Sequence, residues 1–117
     1  MSLQAELNAL AESCKDVAEI EATFWPDGSL CDNQSGYIEL FFLYVRGSAP
    51  AGTGTKILTQ LFAIADRAGL PISLYALPCY GKGLRKAMTD DELIGWYRRR
   101  GFEKTSVKRR LVRPPTP

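Results

Sequence analysis

The chain contains no histidine. That absence removes the commonest general base and metal ligand, and with it the Ser/His and Cys/His arrangements of nucleophilic catalysis. Any proton transfer must fall to a carboxylate, a tyrosine, a lysine or water. Cysteine is scarce as well. Cys14, Cys31 and Cys79 are odd in number and far apart, so neither a disulfide framework nor a zinc site is supported, and reduced structural thiols without a metal are expected. No apolar run approaches the roughly 20 residues needed to cross a bilayer. The opening "MSLQAELNALAE" lacks the basic and apolar regions of a signal peptide. Together these absences point to a cytoplasmic protein with no membrane partner.

What is present is an ordinary globular composition, 45% hydrophobic and 24% charged over 117 residues, which suits one domain, 1–117, with a core of its own. The net charge of +2 is unevenly divided. Met1 to Gly81 carries four basic and nine acidic residues, a net of −5, and Lys82 to Pro117 carries eleven and four, a net of +7. A basic final third with "YRRR" and "KRRLVR" suits a polyanion or a phosphate-rich cofactor, and equally a solvated surface balanced by the acidic half.

Hydrophobic spacing orders the chain. "SLQAELNALAES" places Leu3, Leu7 and Leu10 on one helical face behind Ser2 as N-cap. "VAEIEATFW" reads as a half-buried strand ending at the turn "PDGS", and "YIELFFLYV" as a central strand covered on both faces, interrupted by Glu39. Gly54 to Ala68 carries the clearest helical stripe and stops at "GLP". "ISLYAL" is a second buried strand, "TDDELIGWYRRR" a helix with Thr89 and Glu92 in a capping box, closed by Gly101, and "FEKTSVKRRLVR" an extended segment or hairpin. Strand, helix, strand, helix, strand from Tyr37 onward predicts α/β architecture with a right-handed parallel crossover.

The loop in that crossover, "RGSAPAGTGTK", is glycine-rich, and spacing separates the devices it could be. Thr53 stands where a P-loop needs its phosphate lysine, and Ile57 where the dinucleotide fingerprint needs its third glycine. What remains is G-x-G at a helix start, where backbone N–H groups from Gly52 to Lys56 can approach an anion such as a pyrophosphate, or simply a tight turn.

"IELFFLYV", "AGTGTKILTQLFAIADRAG", "ISLYAL" and "ELIGWYRRRGFEK", in that order, resemble the GNAT superfamily of acyl-coenzyme A dependent N-acyltransferases, in particular its compact members from phage genomes. The likeness covers roughly Tyr37 to Glu103. It joins the coenzyme motif [QR]-x-x-G-x-[GA], which begins here at Ala49 instead of Gln or Arg, to "WYRRRGF", similar to the family's later aromatic segment. The part before Tyr37 is shorter than the family's, and "PCYGKGLRKAMT" stands where the family often has an Asn.

The resemblance implies a mixed, largely antiparallel sheet with a central splayed parallel strand pair, flanked by helices. It implies acetyl-coenzyme A as acyl donor and an amine acceptor of unspecified identity, small molecule or protein, with direct transfer in a ternary complex. Backbone groups of Leu43, Tyr44 and Val45 would hold the pantetheine, and Ala51, Gly52, Thr53, Gly54, Thr55 and Lys56 the pyrophosphate. Arg46 or Lys56 would supply the contact missing at Ala49. Tyr97 matches the tyrosine that touches the thioester and protonates the departing sulfur; without the resemblance it reads as a core aromatic beside Trp96. Some members place a general-base Glu where Glu39 stands, so Glu39 is the candidate base, with a structural ion pair as the other reading. By period-two alternation it shares a face with Phe41, Leu43 and Val45. Trp25, Tyr75 and Tyr80 are candidates to wall the acceptor pocket, Cys79 to lie near the thioester, and Lys82, Arg85, Arg98 or Arg99 to meet the adenosine phosphates. Two other readings stand beside this one: a GNAT-shaped binding protein without catalysis, and a basic nucleic-acid-binding domain, the less favoured of the two. A homodimer is an open option.

Overall fold

Ser2 accepts a hydrogen bond from the Ala5 amide at 3.1 Å and so caps helix α1, Leu3–Ser13, satisfying one of the donors that a first turn leaves without a partner. The computed structural model describes residues 2–27, 36–77 and 88–116. In them α1 is followed by β1 (Ala18–Trp25), β2 (Tyr37–Val45), α2 (Thr53–Ala68), β3 (Ile72–Tyr75), α3 (Asp90–Arg98), β4 (Glu103–Lys104) and β5 (Arg110–Arg113).

The strands form one sheet in the order β1-β2-β3-β5-β4. β2 and β3 are parallel, joined through α2, and the other three pairings are antiparallel. This is the expected α/β class, a mixed and largely antiparallel sheet with a parallel pair inside it. That pair is short: Ile38 to Leu40 lie beside Ile72 to Leu74, while β2 runs on to Val45 against β1 alone. Past Leu40 and Leu74 the parallel strands therefore part, leaving an opening between them.

Helices α1 and α2 pack on one face of the sheet. Leu7 and Leu10 from α1 and Ile57, Leu58, Leu61 and Ala65 from α2 meet Ala18, Ile20, Ile38, Leu40, Ile72, Leu74 and Leu111. Each leucine or isoleucine among them contributes about 1.5–3 kcal/mol on full burial. The anchoring helix α2 is closed by Gly69 at φ 69°, whose amide bonds back to Ala65 and Asp66, the left-handed cap that glycine adopts without Cβ strain.

Two expectations need correction. β2 is not covered on both faces throughout: Ile38, Glu39 and Leu40 are buried, but Phe41 is 50% exposed. Nor do Leu43 and Val45 share a face with Glu39. Phe42 pairs with Glu21 and Leu40 with Ala22, so Phe41 is the extra residue of a β-bulge, and a bulge resets the alternation beyond it. Leu43 and Val45 consequently lie opposite Ile20 and Ala18 on the helix-covered face, whereas Glu39 lies opposite Thr23 on the other.

The second half follows the capping signals. Thr89 and Glu92 form the capping box that opens α3, and Gly101, at φ 105°, follows its end. "FEKTSVKRRLVR" is the hairpin of β4 and β5. β3 stops at Tyr75, two residues short of "ISLYAL", because the Leu77 amide turns back onto the Tyr75 carbonyl. Among the described residues no helix is long and apolar enough to cross a membrane.

Candidate active site

Helix α2 opens directly after β2. Its N-cap, Gly52, adopts φ 85° and offers no side-chain cap, so no side chain competes for the first-turn amides. A Cβ on Gly52 would meet nothing within 4 Å, yet the positive φ would strain it. Gly54 serves a different purpose. It is buried, and a Cβ there would come within 3.2 Å of Trp96 Cζ2 and 3.5 Å of Val45 Cγ2. The second glycine of the G-x-G thus lets Trp96 of α3 lie against the start of α2. Gly52, Thr53, Thr55 and Lys56 remain on the open side, with Thr53 Oγ1 donating to the Pro50 carbonyl at 2.6 Å and Ala51 and Lys56 exposed.

Beside this turn, Leu43, Tyr44 and Val45 are half-buried at the free end of β2. They pair with Ile20, Glu19 and Ala18. Strand geometry alternates the direction of successive peptide groups, so part of their backbone faces the opening left by β3. Arg46 is committed elsewhere, donating to the Lys15 carbonyl at 3.3 Å and to Glu19 at 3.3 Å.

Tyr97 is 7% exposed, edge-on to Trp96 at 5.1 Å and to Phe102 at 5.4 Å. Burial, with a smaller contribution from the neighbouring Tyr44, raises its pKa to about 12. The phenol is thus fully protonated near neutrality and available as a donor. Trp96, next to Tyr97 on α3, meets Val45 around Gly54, which sets this part of α3 by the free end of β2. The structure thereby brings together the start of α2, the end of β2 and Tyr97.

Glu39 stands apart, on the opposite face of the sheet. It is 9% exposed and its Oε2 is buried with no hydrogen-bond partner. Burial raises its pKa, opposed by hydrogen bonding to the Ser73 hydroxyl and by the charge of Arg110. Ser73 and Arg110 went unnoticed in the sequence; the parallel register that sets Ser73 beside Glu39 is a tertiary fact. Trp25 and Tyr75 are 44% and 45% exposed, as rim aromatics are. Tyr80, Cys79, Lys82 and Arg85 lie outside the described residues. A depression of about 440 Å³ between the start of α3 and Lys108 and Arg109 contains none of the expected site residues.

Arg98 and Arg99 are exposed; the third arginine of "YRRR" is the one at the α2 turn. Arg100 stacks over the Trp96 ring at 3.8 Å, donates from Nε to Thr55 Oγ1 at 3.0 Å and from Nη1 to the Trp96 carbonyl at 2.8 Å. Two of its N–H groups are used and a guanidinium has five. Burial, then the charge of Arg99, depresses its pKa. The i,i+4 spacing of Trp96 and Arg100 was the signal available for it.

No protein-family model matches the sequence, and no curated protein matches it. Among solved structures the chain is similar to the anti-CRISPR protein AcrVA5, with a TM-score of 0.55 and 19% identity over 78% of this chain and 96% of that one. At that identity the likeness is one of fold.

Proposed function

We propose that the chain is an acyl-coenzyme A dependent N-acyltransferase of the GNAT type, with acetyl-coenzyme A supplying the activated acyl group and an amine as acceptor. The observation that carries this reading is the convergence of the uncapped α2 start, the parted β2 and β3 and the buried phenol of Tyr97. The residues fit the group. First-turn amides of α2 other than those of Thr53 and Lys56, which donate to the Pro50 and Gly52 carbonyls, and the remaining donors of Arg100 hold the pyrophosphate, so that Arg100 takes the part left vacant by Ala49. Backbone of Leu43 to Val45 orients the pantetheine. Tyr97 gives its hydroxyl proton to the departing sulfur, and Glu39 Oε2 receives the ammonium proton of the acceptor, directly or through water.

Calorimetry with acetyl-coenzyme A tests this. Asp and Asn strain the left-handed backbone least among residues with a Cβ, so Gly52→Asp sets a carboxylate against the same amides and Gly52→Asn, with matching strain, is the neutral control. The expected result is micromolar binding by the wild type, weakened about 100-fold or more by Gly52→Asp and only a few-fold by Gly52→Asn. A folded wild type that binds no coenzyme would sink the reading. A second reading, a GNAT-shaped protein that binds a partner without turnover, draws on Ala49 and on the likeness in fold to an anti-CRISPR protein. It requires that Tyr97→Phe be without effect on whatever the protein does.

A further inference from the structure

Glu39, Ser73 and Arg110 belong to three successive strands of the sheet, β2, β3 and β5, on the face away from α1 and α2. Arg110 Nε donates to Ser73 Oγ at 3.1 Å. A guanidinium only donates, so the serine oxygen accepts there, and its single hydroxyl proton is left for the Glu39 carboxylate beside it. Ser73 is fully buried, so this order has no competition from bulk water. The Arg110 guanidinium also lies 5.6 Å over the Tyr75 ring.

The pairing also identifies what else faces Glu39. Glu19 and Glu21 on β1, Tyr37 and Tyr44 on β2, Tyr75 on β3 and Glu103 on β4 share its side of the sheet by register, as does Arg46, which Glu19 engages. Among the described residues, Arg110 is the cation whose charge acts on Glu39.

We infer that Ser73 and Arg110 form a positioning relay: Arg110 orients the serine hydroxyl, the hydroxyl anchors the Glu39 carboxylate, and the buried Oε2 is kept as its unpartnered acceptor for an N–H donor that reaches it. In the proton step Oε2 gains the proton that the acceptor's ammonium loses, so the carboxylate becomes a carboxylic acid and the amine keeps its lone pair for attack. The identity of that donor as an amine acceptor rests on the acyltransferase reading; the relay itself does not.

The titration of Glu39 Cδ by NMR, in protein labelled with ¹³C-glutamate and assigned with Glu39→Gln, tests the relay without any ligand. Ser73→Ala removes one oxygen without changing the packing, and Arg110→Met keeps the side-chain stem over Tyr75. Each should move the Glu39 midpoint upward by about one pH unit, because a hydrogen bond to the charged form, or a positive charge near it, is lost. Arg110→Lys, which keeps the charge but not the guanidinium geometry, should recover part of the shift. Midpoints unchanged from the wild type in folded Ser73→Ala and Arg110→Met would overturn the relay. Coenzyme binding measured on the same samples separates the two ideas: a moved midpoint in a protein that binds no acetyl-coenzyme A upholds the relay and sinks the acyltransferase reading.

Discussion

The Tyr97 ring is wedged between Trp96 and Phe102, and the same burial that makes it a core residue raises its pKa to about 12. Packing and proton donation are thus two aspects of one placement, which is why the sequence alone left both readings open. Tyr97→Phe keeps the ring and removes the proton. It should lower turnover of acetyl-coenzyme A about 100-fold or more, the scale of general-acid catalysis, with coenzyme affinity and melting temperature nearly unchanged; an equal loss of affinity would show the hydroxyl to be a binding group. Asp66 illustrates the opposite case, a charge whose role is structural. Its carboxylate takes two bonds from Arg113, at 2.9 and 3.1 Å, and Arg113, 8% exposed, also covers Phe62 at 4.0 Å. These bonds lower the Asp66 pKa below its ordinary value. A carboxylate with a depressed folded pKa stabilises the fold above its unfolded pKa, about 3.9, and that stability is lost as pH falls through the folded value. Asp66→Asn should cost about 2–4 kcal/mol at pH 7, leaving a buried guanidinium without its counter-ion, and the gap from wild type should close towards pH 2–3. Urea unfolding at the two pH values measures it.

At the scale of elements, the junction of α2 with α3 positions the site, and its two glycines behave differently. Gly95 of α3 has only the flexible Arg99 Nη1 near a new Cβ, so Gly95→Ala should stabilise by about 0.5–1 kcal/mol through helix propensity alone. Gly54→Ala should forfeit that gain or lose about 1 kcal/mol, since its Cβ would press on the Trp96 ring at 3.2 and 3.3 Å. In a Trp96→Leu background the Gly54 substitution should turn favourable, and a double-mutant cycle reads the difference. Additive effects would mean that Gly54 is not there for Trp96. The helices and their caps were legible because Ser2, Thr89 with Glu92, and Gly69 announce local geometry. The bulge at Phe41 was not. Apart from Glu39, "YIELFFLYV" is apolar and nothing in it marks Phe41, so only pairing with β1 shows where a residue is skipped. That one residue moved Leu43 and Val45 off the face of Glu39. It also put Glu39 and the free end of β2 on different faces of the sheet, an arrangement that alternation could not reveal.

Over the whole molecule, the contrast between an acidic first part and a basic last third was plain in the sequence, but its meaning depended on which cations the fold employs. Arg109 pairs with Asp90, Arg113 with Asp66, Arg110 bonds Ser73 and Arg100 bonds Thr55. The last three tie the final third to α2 or β3, and the first joins its closing hairpin to the start of α3; partners so distant in sequence could not be read from it. Arg98, Arg99, Lys104 and Lys108 are the basic residues of Arg98 to Arg113 that stay exposed. They lie at the end of α3 and its C-cap, on β4 and in the turn before β5, four cations in all. Four phosphate contacts give a salt exponent of about 3.6 on duplex DNA, so any affinity should fall about 100-fold between 50 and 200 mM salt. On the acyltransferase reading, acetyl-coenzyme A would be held mainly by backbone amides and one anchored arginine and should lose less than about tenfold over the same range. Fluorescence anisotropy with a short labelled duplex, run beside coenzyme calorimetry at both salt concentrations, sets the two against each other. Duplex binding that persists at 200 mM salt while coenzyme binding is absent would return the basic third to a nucleic-acid role; the reverse pattern would assign it to holding the fold together and, through Arg100, to the pyrophosphate.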